Sequence, residues 1–356
     1  MSSTVPSEGL EFDPIAPVPQ KVDAITVPYG YRWTPILRWG DPLFADSPDF
    51  APGSPNAAAQ ALQFGYNNDF LAIMDIDDSG RSALLCCNHE FTNRAIMFPP
   101  SESEIQEQEA LKATMAAQGL SVVELERPAG RQPWRYLRGA ARNRRITAHT
   151  PFTLTGPAAG SDLVKTAADR TGRRVAGTFG NCSGSVTPWG TVLSGEENFH
   201  SFVADSNAFG SNRYGLNGRP SVYRWEAVEP RFDATQPDYA AELHRFGYIV
   251  EIDPRDPQST PVKHTALGRF THEGANVRVD MSPAPTTLIG VPTDGPALMA
   301  RIQALAIGTG MSSRSRAANR ASATSFGWNL FLVCGDSDES GRYFGGWQGR
   351  LQARPR

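Results

Sequence analysis

The chain has 356 residues, 34 basic and 37 acidic side chains and a net charge of −3, so no polycationic face points to nucleic acid. Lysine occurs only at 21, 112, 165 and 263, an arginine bias that reads as codon usage, not as a binding surface. Four cysteines in a chain of this length do not make a disulfide framework, and no run approaches the roughly 20 apolar residues of a membrane span. The length is enough to bury a large core as one β-rich domain or two ordinary ones.

Residues 1–20 are rich in Ser, Pro and Glu and read as a flexible lead-in, without the charged, apolar and small-residue pattern of a signal peptide. Short apolar runs bounded by Gly, Pro, Asn and Asp then predict strands. They are Leu71–Ile76, Ala83–Cys87, Ser121–Leu125, Thr191–Leu193, Ser221–Trp225 and Tyr248–Ile252, with Val262–Phe270 as a hairpin partner of the last. Asp77-Asp78-Ser79-Gly80 lacks the spaced acids and closing Glu of an EF-hand and reads as a turn. Adjacent Cys86 and Cys87 read as core positions of a buried strand.

One helix interrupts the strands near 101–117. Ser101 or Ser103 can cap it, Glu104 or Gln106 can close the capping box, and Gly119 ends it. Ile105, Leu111 and Met115 recur at helical spacing, and the helix reads as a surface insertion without chemistry. Strand spacing of this kind suits a sandwich, barrel or propeller and does not choose between them.

Beyond Val277 the composition changes. Between Met281 and Gly335 the only acid is Asp294, and Met311–Arg320 is low-complexity without apolar periodicity. Residues 278–325 therefore form a divergent segment, which we read as an internal deletion or frame disruption. A strand-like run follows within 326–347, and 348–356 is a tail.

Three segments carry chemistry. Asn181–Phe199 holds a lone thiol, Cys182, among Gly and Ser, then an apolar strand leading into Glu196 and Glu197. Leu84–Glu90 delivers Asn88, His89 and Glu90, and Gly268–Gly274 delivers His272 and Glu273. Strands that each hand acidic oxygens to one place suit hard cations, and a thiolate among them favours a softer transition metal. Each residue also has a plain reading. Cys182 can be a small residue in a tight loop, the Glu pair a solvated strand end, and the histidines hydrogen-bond partners. In an extended strand Glu196 and Glu197 face opposite ways, so both reach one ion only if the strand ends or bulges there. Arg144 and Arg145 offer forked donors for phosphate or a solvated loop pair. Walker, Gly-x-Ser-x-Gly and His-Glu-x-x-His motifs are absent from the sequence.

These segments resemble the PhoX-type bacterial alkaline phosphatases. Matching stretches are Trp39–Pro42, Gln63–Asp69, Asn88–Thr92, Asn143–Thr147, Asn181–Phe199, Phe246–Pro254 and Phe270–Ala275, so the similarity covers roughly 21–277. The resemblance implies a mostly β, six-bladed propeller-like fold, here incomplete. It also implies a secreted or periplasmic enzyme that hydrolyses small phosphomonoesters on an iron (Fe3+) and calcium cluster. On this reading Cys182 and Glu273 are catalytic metal ligands, joined by Glu196, Glu197, Glu90 and Asn88. Arg144 and Arg145 bind substrate, while His89, His272 and Asn181 support the ligands from behind.

The chain departs from the family pattern in two places. An Arg-Pro-Glu-Asp segment after Glu273 and a later Pro-Asp-Asn segment, both sources of phosphate or metal contacts in the family, have no counterpart in the sequence. Two rival readings follow: a metal-poor propeller remnant acting as a scaffold, or a calcium-dependent propeller hydrolase of the lactonase type that does not need Cys182.

Overall fold

The computed structural model describes residues 13–129, 132–205, 220–279 and the backbone of 300–305. Most of the 278–325 segment, the 326–347 strand, the 348–356 tail and the first twelve residues lie outside the described residues. Within them, thirteen strands and three short α-helices alternate with 3-10 turns.

The first sheet has five strands: β1 (Asn68–Asp75), β2 (Ser82–His89), β3 (Gly119–Glu126), β4 (Arg135–Tyr136) and β5 (Arg144–Ile146). They run in the order β1-β2-β3-β4, with β5 also paired to β3. The second contains β6 (Pro151–Thr155), β7 (Arg174–Ala176), β8 (Asn181–Val186), β9 (Val192–Glu196), β10 (Ile249–Ile252) and β11 (Val262–His264). Its order is β7-β6-β11-β10-β9-β8, antiparallel throughout except for the parallel pair β6 and β11. A third pair joins β12 (Gly274–Val279) to β13 (Ala300–Leu305). The molecule is thus mostly β, with open sheets.

The apolar run of β2 follows from its place between β1 and β3 with both faces covered. Leu84 and Cys86 enter the main core shared by the two large sheets, while Ala83, Leu85 and Cys87 pack on the other side with Leu43 and Phe64. The two thiols therefore point to opposite cores and are free, and burial pushes that of Cys86 up to about 12. The Tyr248–Ile252 reading and its hairpin partner hold as β10 and β11, the latter stopping at His264.

Two local expectations are corrected. Ser221–Trp225 forms no strand: Arg224 is left-handed at φ 56° and Trp225–Ala227 is a 3-10 turn. Its two aromatic side chains join an aromatic cluster, Trp225 lying 4.5 Å from Phe202 and 5.2 Å from Phe179 between ring centroids. The helices are α1 (Ala57–Gln60), α2 (Arg94–Met97) and α3 (Glu104–Ala116). Ser103 caps α3 by accepting from Gln106 N at 3.2 Å, and the Gln106 side chain accepts in turn from Glu102 N at 2.6 Å. Leu111 and Met115 are buried, but Ile105 is 81 % exposed. Only the carboxyl-terminal half of α3 packs inward, so it is half core and only half surface insertion.

Candidate metal centre

The site forms where the two large sheets and the start of β12 meet. Two β-bulges aim residues into it. In β1, Asn68 pairs with His89 and Leu71 with Cys87. Three residues are thus spanned against two, and Asp69 falls in the extra step. In β8, Asn181 pairs with Glu196 and Gly184 with Ser194, which puts Cys182 in a second bulge. A bulge turns a side chain out of the alternating pleat. Asp69 and Cys182 thereby reach Glu90 at the end of β2, with one ligand atom from each of the three within 4.8 Å of the others.

Glu197 and Glu273 border the group. The β9 strand ends at Glu196, and the next amide, Glu197 N, turns to donate to Gly180 O at 2.9 Å. Asn198 Nδ2 donates to Glu90 Oε1 at 3.1 Å and to Glu197 Oε2 at 3.0 Å. Glu273 is brought in by a close backbone approach: a Cβ on Gly195 would lie 2.3 Å from His272 O and 2.5 Å from Glu273 O. Only glycine lets the two chains lie that close.

The electrostatics show how crowded the acids are. Burial and the Glu90 and Glu273 charges push Glu197 up to about 8. Burial and the Asp69 and Glu90 charges push Glu273 up to about 7. Asp69 and Glu90 are raised chiefly by burial, Glu90 also by the Asp69 charge. The Cys182 thiol is raised by burial and by all four carboxylates. Like charges this close disfavour ionisation unless a cation joins them, and among the described residues no Lys, Arg or His pairs with any of the four.

The remaining candidates are placed as follows. Asn88 is fully buried and donates through Nδ2 to Cys182 O and, at 3.5 Å, to Ser183 O, while its Oδ1 is buried without a partner. Asn181 bonds Thr178 Oγ1 and Ser194 Oγ behind the thiol strand. His89 and His272 are held neutral by burial, the latter down to about 4. They bond Ser121 Oγ at 2.7 Å and Gly268 O at 3.0 Å, next to Glu90 and Glu273 respectively.

Glu196 is separated from the group. Its neighbour Glu197 faces the site, so strand alternation sends Glu196 to the opposite face. There it is fully buried, 2.6 Å from Lys263 Nζ, and accepts from Gly247 N and Tyr248 N at 3.0 and 3.2 Å. Arg144 and Arg145 are likewise not assembled with the acids, and they lie on β5, not in a loop. Arg145 donates to Leu120 O, Ser121 Oγ, Ala116 O and Gln118 O at 2.8–3.0 Å. Arg144 bonds Ser259 O at 2.7 Å. Both guanidiniums staple backbone.

Sequence reasoning missed three residues. Asp69 was hidden by its bulge, although the polar triplet Asn67-Asn68-Asp69 ahead of an apolar run, with Asn67 at φ 52°, marks such a break. Asn198 follows the Glu pair directly. Tyr223 is stacked on Phe202 at 4.3 Å and pushed up to about 12 by burial and the Glu90 charge, so it stays protonated. Nothing in its local pattern signals that position.

The donor set fits metal ions. Carboxylate oxygens and the orphan Asn88 Oδ1 suit hard cations, Cys182 suits a transition metal, and the mutual repulsion is what bound cations relieve.

The family profile described as Alkaline phosphatase PhoX matches residues 10–289. Among solved structures, Pseudomonas fluorescens PhoX in complex with vanadate, a transition state analogue, matches with 36 % sequence identity and a TM-score of 0.68. The match covers 83 % of this chain and 51 % of that one, so the chain spans about half the length of that structure. None of the curated proteins matches. The chain belongs to the alkaline phosphatase PhoX family.

Proposed function

We propose that this chain is a metal-dependent phosphomonoester hydrolase working on small phosphate esters outside the cytoplasm, on part of a six-bladed propeller. Iron and calcium are the ions we assign, with Asp69, Glu90, Cys182, Glu197 and Glu273 as ligands and Asn88 Oδ1 as a further oxygen donor. The observation that carries this reading is the convergence of Asp69, Glu90 and Cys182, with the charges of Glu197 and Glu273 felt by the same thiol and no protein cation paired to any of the carboxylates among the described residues. Cys182 makes a transition metal part of the site, which favours this reading over a lactonase that needs calcium alone. Membership of the PhoX family supports the reaction class.

When bound, the ions would supply charge stabilisation for the phosphoryl oxygens and lower the pKa of bound water. The protein's own share is to position and to titrate. Asn198 Nδ2 holds one oxygen each of Glu90 and Glu197, which fixes the two carboxylates relative to each other. Protons on Glu197 and Glu273 must leave for those groups to bind a cation, so loading releases protons and strengthens as pH rises. Arg144 and Arg145 are committed to backbone, so neither is available to hold the phosphate.

Hydrolysis of a chromogenic phosphate monoester at alkaline pH tests the proposal. Turnover that rises with added calcium and is abolished by a chelator is expected. Hydrolysis of a lactone but not of the phosphate ester would overturn it, as would inertness of the metal-loaded protein toward both.

A further inference from the structure

Resting on the metal-site reading above, we propose that Gln118 is a positioning residue that fixes the distance between the ligands of the two sheets. Gln118 is fully buried between the end of α3 and β3, on the first sheet's side of the site. Its two side-chain ends point to different ligand segments. Nε2 donates to Thr92 Oγ1 at 3.3 Å, two residues after Glu90. Oε1 accepts from Gly180 N at 3.5 Å, two residues before Cys182. Gly180 O in turn accepts the amide of Glu197. One side chain thus links the segments of Glu90, Cys182 and Glu197.

Gln118 is itself held still. Its carbonyl accepts from Arg145 Nη2 at 2.9 Å, and the next residue, Gly119, sits at φ +96° where a Cβ would meet Ile146 O at 2.0 Å. Asn88 supplies a second strut, donating from β2 to the backbone of Cys182 and Ser183. The Gly180 peptide has little room to drift, since a Cβ there would meet Asn198 N at 3.2 Å. Without the Gln118 strut, Asn88 still ties β2 to the backbone of Cys182 and Ser183, and Asn198 still ties Glu90 to Glu197. Hydrogen-bonded partners behind metal ligands typically change affinity by about 10–100-fold when removed.

Cobalt titration of chelator-stripped protein tests this. The readouts are the dissociation constant and the thiolate-to-cobalt charge-transfer absorption, with a thermal melt of the metal-free protein alongside. Wild type is expected to bind with the absorption, and Cys182→Ala to lose it. Gln118→Met, of similar size but unable to bond either partner, is expected to keep the absorption and bind cobalt about 10–100-fold more weakly. Thr92→Val, cutting one arm, should give a smaller loss, and Thr92→Ser should restore wild-type affinity. Wild-type affinity in both Gln118→Met and Thr92→Val overturns the strut while leaving the metal site standing. No cobalt binding in wild type, or an absorption unchanged in Cys182→Ala, overturns the metal site and the strut with it. If Gln118→Met does not fold, Thr92→Val against Thr92→Ser decides: equal affinities reject the proposal.

Discussion

Replacing Lys263 with Met is expected to destabilise the protein by about 3–5 kcal/mol, the usual cost of stripping one partner from a buried ion pair. Lys263 and Glu196 are both fully buried, 2.6 Å apart. The ammonium lies 4.1 Å from the Phe246 ring centroid, and burial lowers its pKa to about 8 against the pull of Glu196. Among the described residues, removing the cation leaves a carboxylate with only the Gly247 and Tyr248 amides to solvate it. The companion Lys263→Met/Glu196→Gln should recover most of the loss, because a neutral amide oxygen still accepts from both amides. Urea unfolding of chelated protein reads both effects. A loss below about 1 kcal/mol in Lys263→Met would mean that the pair is better solvated than its burial implies.

Asp69→Asn and Glu197→Gln should lower the proposed phosphatase activity by several kcal/mol of transition-state stabilisation, about 10²–10³-fold in rate, while raising the stability of the metal-free protein. The two signs are opposed because the acids repel one another without a cation. The pH dependence follows. In the metal-free fold Glu197 and Glu273 hold protons up to about 8 and about 7, whereas an unfolded carboxyl releases its proton at its ordinary value of 4.5. Between those limits the folded state binds more protons than the unfolded one, so stability falls as pH rises from about 4.5 toward 8. Glu197→Gln removes part of that slope, and saturating metal should reverse it. Melting curves between pH 5 and 9, with and without metal, check this. A chelated wild type whose stability is flat across that window contradicts the crowded-acid account, as does a Glu197→Gln variant less stable than its parent.

The sequence was most readable where one local rule governs one element. The unbroken apolar run of β2 and the hairpin of β10 with β11 follow from burial on both faces and from Asp253-Pro254 punctuation. The capping residues of α3 were legible for the same reason. Ser221–Trp225 misled because its bulky side chains satisfy an aromatic core from 3-10 turns as well as from a strand. Ile105 misled because helical spacing says nothing about which half of a helix meets the core.

Within the site, Cys182 and Glu90 lie within ligand distance of each other and of Asp69, while Glu197 and Glu273 act on the Cys182 thiol through their charge. Glu196 does not, and alternation alone is enough to separate it from Glu197. Its partner Lys263, one of four lysines in the chain, lies 67 residues away, beyond the reach of any local pattern. Asp69 escaped notice because a bulge is a property of two paired strands, visible only once the register is known. Arg144 and Arg145 read as phosphate ligands because their carbonyl partners, on other segments, leave no trace in composition.

Metal analysis of the purified chain beside its Cys182→Ala variant tests the central claim most directly. The account predicts iron in the parent, with the visible absorption of a thiolate-bound ion, and loss of both in the variant. Equal iron in the two proteins would contradict it.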